Sequence, residues 1–160
     1  MKRKVYIETT VVSYYTGRAT RDLMVAARQE ETRVLWPRLL SEFDTYISAL
    51  VFEEARAGDS DAAARRLAAI EPFPVLDVDD DTTELASRLL ADKAVPDEFP
   101  EDAMHIAIAA VNGMEFIVSL NFSHINNPFK RAEIRQSVES AGYICPEICS
   151  PEELMETEDA

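Results

Sequence analysis

The chain opens on a short run of apolar, β-favouring residues, Val5-Tyr6-Ile7, that passes directly into the polar triplet Glu8-Thr9-Thr10. A bounded run of this length and composition predicts a buried strand. Across residues 20–42, Leu23, Ala26, Ala27, Val34, Leu35 and Leu39 recur at mostly three- and four-residue spacing. That period predicts a long helix, which Pro37 kinks or divides. Thr45-Tyr46-Ile47-Ser48 repeats the strand pattern and leads into a helix beginning Leu50-Val51-Phe52-Glu53-Glu54-Ala55. After a break at Gly58-Asp59-Ser60, an Ala-, Arg- and Leu-rich helix is expected over 61–71, ended by Pro72. Val75-Leu76-Asp77-Val78 predicts a third strand, and a helix follows over 81–93.

The second half continues the alternation. Val95-Pro96-Asp97-Glu98-Phe99-Pro100 is a loop held by two prolines, and residues 101–112 form a helix with Ala103, Ile106, Ala107 and Ala110 on one side and Gly113 just past its end. Phe116-Ile117-Val118 is a fourth strand, 129–141 a helix stopped by Gly142, and Tyr143-Ile144-Cys145 a candidate last strand. Ser150-Pro151-Glu152-Glu153 starts a terminal helix, with Ser at the cap, Pro in the first turn and Glu three residues on. The acidic tail from Met155 to Ala160 is expected to fray.

Strands alternating with helices at this spacing imply βαβ units and a parallel sheet covered on both faces. The expected fold is therefore α/β, a three-layer sandwich with a central parallel sheet of four to five strands flanked by helices. At 160 residues, with no internal repeat and no long linker, residues 1–160 read as one domain.

Charge narrows the partners. With 30 acidic against 16 basic residues the net charge is −14, which argues against a passive nucleic-acid binder relying on phosphate neutralisation. It leaves room for an enzyme that meets nucleic acid through bound metal and a local basic strip. Arg18, Arg21, Arg28, Lys130 and Arg131 are candidates for that strip or members of an ordinary charged surface. A basic protein partner also fits. No stretch approaches the roughly 18–20 apolar residues of a membrane span, and no signal-peptide core follows the charged start, so a cytoplasmic protein is expected. Cys145 and Cys149 are expected to be free thiols there. With only His105 and His124 besides, no four-ligand zinc cage is suggested.

In an open parallel sheet, ligands bind beyond the carboxyl ends of the strands. Those ends carry oxygen-bearing side chains: Glu8, Thr9 and Thr10 after the first strand, Glu53 and Glu54 beyond the second, Ser119 and Asn121 after the fourth. The proline-bounded loop adds Glu101 and Asp102 at the start of the 101–112 helix. An oxygen-rich set of this kind suits Mg²⁺ or Mn²⁺, which can promote phosphoryl chemistry. Each residue also has a plainer reading. Glu8 fits a helix cap, Glu53 and Glu54 a solvated helix face, and Asp102 a favourable helix-start acid. His105, three residues after Asp102, could orient a carboxylate, contact substrate or pack in the core. Thr9 and Thr10 could serve a metal-bound water or cap a helix after the first strand. Asn121 and His124 could contact a phosphate or cap their own turn.

Taken together, Val5-Tyr6-Ile7-Glu8-Thr9-Thr10, Tyr46-Ile47-Ser48-Ala49-Leu50-Val51-Phe52-Glu53-Glu54, Asp102-Ala103-Met104-His105-Ile106-Ala107 and Ser119-Leu120-Asn121 resemble the PIN-domain family, and within it the VapC-like ribonuclease toxins of toxin–antitoxin pairs. The resemblance runs from residue 4 to about residue 127. It implies a metal-dependent endoribonuclease with an RNA substrate, an antitoxin partner, a homodimeric state and no membrane. By motif position it assigns the metal-holding acids to Glu8, where most members have Asp, to Glu54 rather than Glu53, and to Asp102. The usual fourth acid is Asn121, which keeps an oxygen but loses a charge, so a second ion should bind less tightly. Thr9, Ser119 and His105 fall in supporting positions. Two rivals follow from the residues: a PIN-like binding module with weak or no nuclease activity, and a phosphatase or DNA nuclease on a related sheet.

Overall fold

The structure is a computed structural model that describes residues 1–155. Five strands form one all-parallel sheet: β1 (Lys4–Ile7), β2 (Asp44–Ser48), β3 (Val75–Leu76), β4 (Phe116–Val118) and β5 (Glu147–Cys149), in the order β3-β2-β1-β4-β5. The helices are α1 (Thr9–Thr16), α2 (Leu23–Ser41), α3 (Ala49–Ala55), α4 (Ser60–Ile70), α5 (Asp80–Ala91), α6 (Pro100–Val111), α7 (Pro128–Ser140) and α8 (Pro151–Met155). They pack in two groups. Helix α1 contacts α2, α3 and α4, with α8 on α2; α5 contacts α6 and α7. The sheet lies flanked by helices, as expected for the α/β sandwich.

Burial explains the strand order. Val5, Tyr6 and Ile7 are all fully buried, as befits a central parallel strand covered on both faces. The edge strand β3 has only two residues, and Val75 is half exposed. Register then aligns the ends of the central pair: Ile7 lies opposite Val118, and the Glu8 N–H continues the ladder to the Val118 carbonyl at 3.1 Å. The chain runs outward from β1 to β2 and β3, then returns to β4 on β1's other side. The carboxyl ends of β1 and β4 thus form the topological switch point of the sheet.

The structure departs from the sequence expectations at several elements. The last strand is Glu147–Cys149, not residues 143–145; Ile144 is exposed, and the chain joins β4 only after Pro146, which has no N–H to give a ladder. Strand β3 stops at Leu76, because Asp79 already caps α5 through the Thr82 N–H. Helix α2 starts at Leu23, where Asp22 accepts from the Val25 N–H, and is assigned as one helix through Pro37. The proline lies on an exposed face, so its missing N–H leaves a carbonyl that water can reach. Helix α1 is less apparent in the sequence. Val11, Val12, Tyr14 and Tyr15 are modest helix formers, and the helix is held by a cap at Glu8 and by packing on α2.

Other expectations hold. Gly113 and Gly142 adopt positive φ (69° and 94°) just past α6 and α7, where a side chain would be strained. Ser150 and Glu153 form the reciprocal cap of α8. Cys145 and Cys149 are free and buried. No helix among the described residues is long and apolar enough to cross a membrane. The expected fraying of the acidic tail falls, beyond Met155, outside the described residues.

Candidate functional site

The switch point gathers the acids from separate elements. Glu8, immediately after β1, is buried, and its carboxylate accepts three hydrogen bonds. Its Oε1 accepts from the hydroxyls of Thr10 (2.5 Å) and Ser119 (2.6 Å), and its Oε2 from the Thr10 N–H (3.0 Å). These bonds also make Glu8 the cap of α1, which answers to its plainer reading. The two hydroxyls bridge to β4's end: Thr10 Oγ1 accepts from the Leu120 N–H at 2.9 Å, and Ser119 Oγ from the Asn121 N–H at 3.0 Å. A buried carboxylate is tolerated here because hydrogen bonds replace its lost hydration.

Glu54, on α3, faces the same place, whereas its neighbour Glu53 is exposed and pairs with Arg56 at 3.0 Å. Thr9 Oγ1 donates to Glu54 Oε1 at 2.7 Å, and His105 Nε2 lies 2.6 Å from the same oxygen. No described residue donates to Glu54 Oε2. Burial favours the neutral acid, but the hydrogen bond and charge of His105 and the Thr9 hydroxyl outweigh it, holding the Glu54 pKa below its ordinary value.

His105 is the buried hub. Its Nδ1 lies 2.7 Å from the Tyr6 hydroxyl, which lies 2.8 Å from Ser48 Oγ, which accepts from the Val51 N–H at 3.2 Å. One arrangement satisfies every proton: Ser48 donates to Tyr6, Tyr6 to Nδ1, and the Nε2–H to Glu54. Burial opposes charging of the imidazole, yet the hydrogen bond to Glu54 and the attraction of Glu8, Glu54 and Asp102 raise its pKa. Burial, with the charges of Glu8 and Glu54, pushes the Tyr6 phenol well above its ordinary value despite the Ser48 hydrogen bond, so it stays protonated.

Asp102, in the first turn of α6, meets the second histidine. His124 Nδ1 lies 2.9 Å from Asp102 Oδ2, and the imidazole stacks on Phe99 with ring centroids 4.0 Å apart. No described residue donates to Asp102 Oδ1. Asn121 Oδ1 accepts from the backbone N–H groups of Ser123 (3.2 Å) and His124 (3.1 Å), so its oxygen is engaged inside its own turn.

The sequence-derived residues thus lie around one edge of the sheet, in roles partly different from those expected. His105 orients Glu54 rather than its helical neighbour Asp102, and Thr9 supports Glu54 while Glu8 does the capping. Tyr6 and Ser48 are site residues that the sequence does not reveal, because Tyr6 reads as an apolar strand residue and Ser48 as a strand end. His124, which the sequence offers as a phosphate contact or a turn cap, instead meets Asp102. Of the basic candidates, Lys130 pairs with Glu133 at 3.1 Å, Arg131 donates to Asn126, and only Arg28 is placed on a ring beside the site, over Phe122.

A hard divalent cation would find carboxylate oxygens here, two of them without a donor, which suits its chemistry. Among the described residues, however, no three His, Cys, Asp or Glu side chains are spaced to hold a metal ion as they stand. The set fits such an ion in kind but is not drawn together around it.

An all-parallel five-stranded sheet of this order, flanked by helices, is consistent with a PIN-like fold. Among solved structures, the chain is similar to a chain in the crystal structure of VapBC2 from Rickettsia felis bound to a DNA fragment from their promoter, with a TM-score of 0.56 over 77% of this chain and 91% of that chain. At 13% identity the likeness is one of fold. No family model matches the sequence, and no curated protein matches it.

Proposed function

We propose that this protein is a metal-dependent endoribonuclease and the toxin of a toxin–antitoxin pair, acting as a homodimer. The observation that carries the reading is the placing of three acids from three separate elements at the sheet's switch point, Glu8 held by Thr10 and Ser119, Glu54 by His105 and Asp102 by His124. The likeness of fold to VapBC2 and the resemblance of the strand-end motifs to VapC-like toxins support it.

In this reading Glu8, Glu54 and Asp102 would hold Mg²⁺ or Mn²⁺, which would supply Lewis acidity towards a phosphodiester. The chain's own residues present the ligands. Thr9 and His105 hold Glu54 by one oxygen and leave the other available, and His124 does the same for Asp102. Thr10 and Ser119 fix Glu8 at the strand end through their hydroxyls. Asn121 shapes the turn that carries His124.

The test is cleavage of a labelled RNA pool with Mn²⁺ or Mg²⁺, comparing wild type, Asp102→Asn and an EDTA control. Cutting that needs metal and vanishes in a folded Asp102→Asn protein is the expected result. Equal cutting by wild type and Asp102→Asn would remove Asp102 from the site. A second reading, a PIN-like binding module with weak or no catalysis, draws on the engaged oxygen of Asn121 and the spacing of the acids. It predicts no metal-dependent difference between wild type and the acid-site variants.

A further inference from the structure

Beside the acidic edge, one short loop displays two aromatic faces. Phe122 and His124 are separated only by Ser123, in the turn that Asn121 closes, so their Cα atoms are at most about 7 Å apart. Each ring has a partner from another element. Arg28 of α2 sits over Phe122, its guanidinium carbon 4.5 Å from the ring centroid, and Phe99, at the start of α6, stacks on His124. Phe99 and Phe122 are nevertheless 42% and 38% exposed. Neither pair serves the core. The His124 pair touches the acidic site directly through Asp102, and the Asp102 N–H donates to the Phe99 carbonyl at 3.1 Å.

We infer that Phe99–His124 and Phe122–Arg28 are two stacking stations for unpaired nucleobases, and that they select single-stranded RNA at the cleavage site. The inference takes its substrate class from the nuclease reading. Three observations favour a base over other occupants. The Phe122 station opens on a cavity of about 300 Å³ lined by Met24, Ala27, Arg28 and Leu120, at the small end of ligand pockets and too small for a helix. Glu31 and Glu152 also line it, and their charge turns a phosphate away while leaving the flat face of a base acceptable. Finally, a chain of charge −14 has little general basic surface with which to hold a phosphate backbone. Stacking is the term that remains, since every base has a π-face and Arg28 adds a cation beside one ring. Binding should accordingly depend weakly on salt.

The test uses the full chain in EDTA with a single-stranded RNA oligonucleotide carrying 2-aminopurine, whose fluorescence is quenched on stacking. Wild type should quench it and bind it in preference to the same sequence as a duplex. Phe99→Leu and Phe122→Leu should each lose quenching and weaken binding about tenfold or more, whereas Phe99→Tyr and Phe122→Trp should restore both. Because the aromatic variants remove the same native side chain, their recovery separates stacking from damage to the fold. Leu variants that bind and quench like wild type, equal affinity for the duplex, or no binding by wild type would each overturn the inference. The nuclease reading fails separately. Aromatic-dependent binding without metal-dependent cleavage sinks the nuclease and leaves the stations; cleavage with unchanged KM in both Leu variants does the reverse.

Discussion

His105 Nε2 and Glu54 Oε1 lie 2.6 Å apart, yet the histidine side chain is 1% exposed while the glutamate side chain is 34% exposed. The histidine therefore sits behind the acid, anchored in the core through Tyr6 and Ser48, and presents the acid to solvent at the sheet's edge. A long, mobile glutamate is thereby confined by an element on the far side of β1, and a site built from separate elements acquires a fixed geometry.

Removing the middle of that anchor should be costly. Tyr6→Phe keeps the ring but leaves His105 Nδ1 and the Ser48 hydroxyl without their buried partner, so the domain should lose about 2 kcal/mol. Urea denaturation with an unchanged m-value measures this, and the variant's His105 should show an altered NMR titration. No loss of stability would show that water replaces the hydroxyl.

The same pair gives stability a pH signature. Folding raises the His105 pKa, so its contribution is complete below the ordinary value of 6.5 and is lost as pH rises through the higher folded value. Folding lowers the Glu54 pKa, so that contribution is complete above 4.5 and is lost as pH falls through the lower folded value. The stability advantage of wild type over His105→Gln should therefore be greatest between pH 4.5 and 6.5 and should shrink on the alkaline side. A difference that grows above neutral pH would contradict the direction assigned to His105.

Thr10 ties β1's end to β4's end by donating to Glu8 and accepting from Leu120. Thr10→Val keeps the shape and loses both bonds, at an expected cost of about 2 kcal/mol, while Thr10→Ser retains most of it. A Val variant with the denaturation midpoint of wild type would mean that the hydroxyl does not matter there.

Asn121→Asp separates the two readings of the fourth position. A carboxylate oxygen can accept from the same two N–H groups, so stability should change by less than about 0.5 kcal/mol. On the nuclease reading the added charge should lower the Mn²⁺ concentration needed for half-maximal RNA cleavage. An unchanged metal requirement would make residue 121 a turn former alone.

The cysteines should be inert in the native state. Burial pushes Cys145 up to about 11 and Cys149 up to about 12, from an ordinary 9. At pH 8 the thiolate fraction falls about a hundredfold and a thousandfold respectively, so iodoacetamide should label neither until the protein is unfolded, when both react. Rapid labelling of Cys149 without denaturant would contradict its burial against α8.

Much of this protein is local, and the sequence by itself determined it. β-branched and aromatic runs marked β1, β2 and β4, the three- and four-residue period marked α6, and Gly113 and Ser150 marked helix ends, because propensity and capping act over a few residues. The strand-end rule pointed to Glu8, Glu53, Glu54 and Ser119, the proline-bounded loop added Glu101 and Asp102, and the family resemblance chose Glu54 and Asp102 among them. What only the tertiary structure decided is which of these groups touch. Tyr6 meets Ser48 and His105 across 42 and 99 positions, and Ser119 reaches Glu8 across 111. No period encodes those pairings; they follow from strand order and register, which exist only once β4 has crossed to β1's free side. The same assembly turned Asn121's oxygen into its own turn and seated His124 between Asp102 and Phe99. A side chain's chemistry is legible from its letter, but its partner is set by the sheet that brings distant strand ends together.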